Sequence, residues 1–217
     1  MRLAWALTLL PLAACTVPAH KPAAPAATNA SSAELAAAIA ADASKSDHES
    51  DPQQRAALAA AANRDADACI AQASRDVACL FGRGVALGLE ARAHPVHASA
   101  TLNDMLASLA QAESVDATYA DAGPARVQAL VWIRAPDWPL GPGDPERGLA
   151  AAQRAAALRP QYPPNWLALA EAQSKTGATA DARASYVRAR DLAKDLPDTP
   201  DRADWLKQVE QGMSRLP

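Results

Sequence analysis

Residues 165–193 read NWLALAEAQSKTGATADARASYVRARDLA. Trp166, Leu169 and Ala170 recur at the three- and four-residue spacing that gathers side chains on one helix face. Gly177 then supplies a residue free to take positive φ, which ends a first helix. Ala182, Tyr186 and Ala189 mark the inner face of a second. Small side chains along that seam let two backbones approach closely, and Trp166 and Tyr186 fill the remaining gap. The stretch reads as two helices folded back on each other.

The same pattern, a small or apolar residue followed at +4 and +7, recurs upstream. It is found at Gly148, Ala152 and Ala155, closed by Pro160. It returns at Met105, Leu109 and Ala112, and more weakly at Ala62, Ala66 and Cys69. The starts lie 34, 43 and 43 residues apart. Asp51-Pro52, Asp144-Pro145 and Thr199-Pro200 each pair an N-cap with a first-turn proline. The resulting helices fall at 52–74, 77–92, 99–115, 124–135, 145–159, 164–176, 179–194 and 201–215. No stretch alternates as a strand does. Alanine supplies much of the apolar fraction, so the core should come from closely approaching helices.

This repeat resembles the tetratricopeptide repeat, with a lysine, Lys194, where that repeat usually ends in proline. The resemblance implies an all-α, TPR-like superhelix of antiparallel helix pairs. A C-terminal capping helix carrying Trp205, Leu206 and Met213 would close it. Against a period of about 34 residues, each longer interval carries about nine extra. Both extras fall between the first and second helix of a pair, around Ala91–Ala100 and Ala135–Asp144. Repeats stack in one orientation, so the two insertions should be neighbours on one edge.

The N-terminus carries a different signal. Arg2 precedes an apolar stretch, Leu3 to Ala14, too short to span a bilayer. It ends in Leu12-Ala13-Ala14-Cys15, which resembles the lipobox of bacterial lipoproteins. That resemblance implies a signal peptide over 1–14 and acyl chains on Cys15. Thr16, not aspartate, follows the cysteine. By the sorting pattern of enteric bacteria this points to the outer membrane and its periplasmic face, with the inner membrane as the alternative. Residues 15–50 read as a flexible Ala/Pro-rich tether. Within it, Ser31-Ser32-Ala33-Glu34 resembles a capping box, allowing a loosely attached helix from Ser32 to about Ser44 that buries only Leu35 and Ile39. The TPR-like domain then spans 51–217.

Net charge is −3 and no basic stripe stands out, which argues against nucleic acid as a partner. Cys69 and Cys79 lie five residues either side of Ser74, the expected centre of a tight helical turn. An oxidising compartment permits a disulfide there. Closing so short a loop contributes about 2–3 kcal/mol. His94 and His97 flank Pro95 in the first insertion, where a solvent-facing loop is expected rather than a metal site. Gly82, Gly84 and Gly88 have the wrong spacing for a nucleotide loop and read as close helix contacts. No nucleophile–base pair or carboxylate pair emerges, so neither an enzyme nor a cofactor or metal is expected. Glu113, Glu171 and Asp104 read as helix-surface charges.

The most distinctive stretch is Ala135-Pro136-Asp137-Trp138-Pro139-Leu140-Gly141-Pro142-Gly143-Asp144-Pro145. Its prolines make a stiff excursion. Trp138 is either a hot-spot anchor or, as the preferred expectation, a clasp folded back between helices. With its flanks the loop is similar to the T component of TRAP transporters, over roughly residues 78–195. Asp137 stands where that family's usual glycine would be. The resemblance implies a periplasmic partner protein and a small organic or hydrophobic ligand, with a cavity bounded by Trp138 and Trp132. Asp137, Trp138, Pro139, Trp132, His94 and His97 are therefore the candidate binding residues. The leading expectation is a non-catalytic, membrane-anchored scaffold that binds a protein segment, with the TRAP-type accessory as the alternative.

Overall fold

The computed structural model describes residues 30–217. The expected signal peptide, Cys15 and residues 16–29 of the expected tether lie outside them. Among the described residues the chain is all-helical, with nine α-helices and no strand. These are α1 (Ser32–His48), α2 (Pro52–Gln72), α3 (Val77–Ala93), α4 (Ala98–Val115), α5 (Tyr119–Arg134), α6 (Pro145–Leu158), α7 (Pro163–Lys175), α8 (Thr179–Lys194) and α9 (Pro200–Ser214). None is long and apolar enough to cross a membrane.

The caps explain the starts. Asp51, Asp144 and Thr199 accept backbone N–H bonds from Gln53, Arg147 and Arg202. Asp76, whose capping role the sequence reading passed over, accepts from Ala78 and Cys79. Gly177 takes φ +82, and the chain turns there from α7 to α8.

Sequential helices pack as hairpins: α1 on α2, α3 on α4, α5 on α6, α7 on α8. The odd-numbered helices also touch in series, α1 to α3, α3 to α5, α5 to α7 and α7 to α9. They form one layer and the even-numbered helices back it. The +4/+7 pattern marks the buried seam of every backing helix: Ala62, Ala66 and Cys69; Met105, Leu109 and Ala112; Gly148, Ala152 and Ala155; Ala182, Tyr186 and Ala189. A Cβ on Gly148 would collide with Ile133 Cγ2, so α5 and α6 meet at backbone distance there. Gly82, Gly84 and Gly88 face Ile39, Leu109 and Met105.

Two expectations need correction. The segment 32–48 is not a loose part of a tether. Ser31 and Glu34 close a capping box, Ile39 is fully buried against Ala59, Ala62 and Ala86, and Leu35 packs beside the cysteines. Helix α5 does not simply begin at Pro124 either. A left-handed turn at Ala120, Asp121 and Ala122 (φ 48, 56 and 61) leads into it. Three L-residues in that region cost about 1–2 kcal/mol each, so neighbouring groups must offset them.

Those groups are Asn165 and Arg126. Asn165 is fully buried and its amide lies 3.1 Å from the carbonyl oxygens of Asp121, Ala155 and Arg159. Arg126 donates to Asn165 Oδ1 (2.9 Å) and to the carbonyls of Asp121 (2.9 Å) and Ala120 (3.3 Å). Burial pulls its pKa down, and the guanidinium lies over the Tyr162 ring. This cluster fixes where α5 points.

Candidate functional site

The layer of odd-numbered helices presents an open trough. Its first half, between α3, α4 and α5 with Ala43 and Asp47 of α1 at one end, is a mainly apolar groove of about 730 Å³. Val85, Leu89, Leu102, Met105, Val127 and Leu130 form its walls. Its rim is closed by Arg92 and Ala98 on one side and Ala135 and Pro136 on the other. Both insertions therefore border the same groove. The second half, about 370 Å³, lies between α5, α7 and α9 and is polar, with Glu171, Ser174, Lys175, Gln208, Gln211 and Arg215 among its lining. Arg134 lines both halves.

Arg134 and Glu171 form a two-point ion pair, 2.8 and 2.6 Å, at the junction. That pairing holds the Arg134 guanidinium's pKa up against the opposing effect of burial. Tyr186 reaches the same place from α8. Its ring passes where a Cβ on residue 212 would sit, so Gly212 makes room for it. Burial raises the Tyr186 pKa, with the Glu171 charge adding to it.

The loop after α5 is rigid by its hydrogen bonds. Leu140 N and Gly141 N donate to Asp137 O (3.0 and 3.2 Å), Gly143 N to Pro136 O (2.9 Å), and Asp144 N to Trp132 O (2.9 Å). The Trp138–Pro139 peptide is cis. The preferred expectation for Trp138 is overturned: it is 86% exposed, with Leu140 at 77%, so it clasps nothing. Asp137 and Pro139 are exposed with it. Trp132 is the opposite of Trp138. It is buried with Ile133, Ala151 and Leu169, and Arg147 stacks 4.5 Å from its ring. Neither Trp132 nor Trp138 lines either half of the trough: one is core and the other is solvent-facing.

His94 and His97 are exposed on a single 3₁₀ turn, Pro95–His97, and His94 Nε2 lies 3.6 Å from Glu90. Among the described residues no three His, Cys, Asp or Glu side chains gather as metal ligands. Cys69 and Cys79 are joined by a disulfide across the α2–α3 turn. Glu113 is more than a surface charge: it accepts from Gln128 (2.7 Å) and Arg154 (3.1 Å), tying α4 to α5 and α6.

Sequence reasoning missed the trough itself. The signal was present. Val85, Gly88, Leu89 and Arg92 stand at i, i+3, i+4 and i+7, as do Val127, Leu130, Val131 and Arg134. The small-residue seams between paired helices carry the same spacing, so this second face does not stand out from them. No family model matches the chain, and no curated protein does either.

Proposed function

We propose that the chain is a non-catalytic scaffold that seats a segment of a partner protein in this trough, on a TPR-like superhelix capped by α9. The observation that carries the reading is the pairing of two halves of one site. A rigid loop holds Trp138 out in solvent, and the same loop and the first insertion border an apolar groove. An exposed tryptophan on a pre-ordered loop loses little entropy on binding. The hairpins stacked in series, each with its first helix in one layer, support the repeat reading. Lipidation at Cys15 would hold the domain on the periplasmic face of the outer membrane. A photo-crosslinking residue at Leu130, in cells, should trap one defined polypeptide, while the same residue at Gln153 on α6 should not. Absence of any adduct from several trough positions would overturn the scaffold.

The apolar walls of the first half favour a second reading, an accessory of the TRAP T-component type with a hydrophobic small molecule there. It predicts a neighbouring gene for a periplasmic binding protein and a co-purifying apolar ligand released on denaturation. An isolated gene and a ligand-free protein would remove it.

A further inference from the structure

Each helix of the trough layer from α3 onward carries a base that faces the trough, in its last turn for Arg92, Arg134 and Lys175 and at the C-cap for Arg215. They recur 42, 41 and 40 residues apart. A base near a helix C-terminus favours the helix dipole, but that alone does not place this row. Helices α2 and α4 end without one. Arg159, beyond α6, is drawn toward Asp121 instead (4.0 Å), and only Lys194 of α8 extends the habit to the backing layer.

Two of the four are neutralised within the chain, Arg92 by Asp47 and Arg134 by Glu171. Lys175 and Arg215 make no ion pair among the described residues. The polar half thus sets three cations against one carboxylate, in a chain whose net charge is −3. Ser174, Gln208 and Gln211 add side chains able to hydrogen-bond a peptide backbone. Four helices side by side span roughly 30 Å, the reach of roughly nine extended residues.

We infer that the occupant is an extended acidic segment of a partner protein, its apolar residues between α3 and α5 and its carboxylates on Lys175 and Arg215. The inference rests on the scaffold reading above and adds the chemistry of the segment.

Fluorescently labelled peptides of roughly ten residues test it by anisotropy on the full chain. Each carries a Leu, Val or Phe block followed by three residues that are Glu, Gln or Lys. The Glu series should bind, more weakly with added salt. The Gln series should bind about tenfold more weakly, the effect of two partly exposed charge contacts, and the Lys series not at all. The exposed pair Lys175→Gln/Arg215→Gln should bring the Glu series down to the Gln level and leave the Gln series unchanged. Leu130→Asp should weaken both. Equal binding of Glu and Gln peptides, preference for Lys, no binding in any series, or binding of oleate in place of all peptides would each overturn the inference. If adducts at Leu130 still form in cells, only the acidic preference falls. If they do not, the scaffold falls with it.

Discussion

Replacing Asn165 by alanine should be among the most damaging single changes in the molecule. The buried amide has two hydrogens to share among three carbonyl oxygens, each 3.1 Å away. Its oxygen also accepts the 2.9 Å bond from Arg126. Two neutral bonds contribute about 0.5–1.5 kcal/mol each and one to a cation about 1.5–3, together about 2.5–6 kcal/mol. The carbonyls are not orphaned, since Asp121 O keeps Arg126, Ala155 O keeps Arg159 N and Arg159 O keeps Tyr162 N. The loss therefore does not climb further. For a domain of this size each kcal/mol moves Tm by about 2–4 °C, so Asn165→Ala should melt roughly 5–24 °C lower by circular dichroism. The left-handed turn at Ala120–Ala122 loses its fastener in the same step, so α5 should exchange amide hydrogens faster at its start. A Tm within about 2 °C of the parent would mean that the cluster does not hold the turn.

Gly148→Ala places a methyl against Ile133 Cγ2 and should destabilise by about 1–3 kcal/mol in chemical denaturation. Ala189→Leu, at a fully packed position between α7 and α8, should do the same; unchanged midpoints for both would mean the helices do not meet there. Burial raises the pKa of Tyr119, Tyr162 and Tyr186 above the ordinary value of 10.0. The unfolded chain then releases these protons first. Stability should hold below about pH 10 and fall as pH rises through the higher folded values. A melting temperature flat through the tyrosinate absorbance rise would contradict that.

Much of the fold is legible because alanine-rich seams leave a periodic trace. The +4/+7 residues are the ones buried in α2, α4, α6 and α8, and the Asp-Pro and Thr-Pro pairs are the caps. What stayed hidden depends on contacts far apart in sequence. Leu35 and Ile39 are the only large apolar residues of an alanine-rich stretch, and nothing local shows that Gly82 and Ala59 meet Ile39. Asn165 carries no local mark of a hub. Trp132 and Trp138, six residues apart in one motif, could not be told apart by composition, because the helix end at Arg134 sends one inward and the other out. The loop's stiffness was readable from its prolines, but not the direction in which it points its tryptophan.

The seat of the partner is most directly tested by hydrogen exchange on the full chain, free and bound to the polypeptide trapped at Leu130. Slowing confined to 91–100, 135–144 and the last turns of α3, α5, α7 and α9 is the result expected. Slowing on the outer faces of α2, α4 and α6, or none at all, would contradict it.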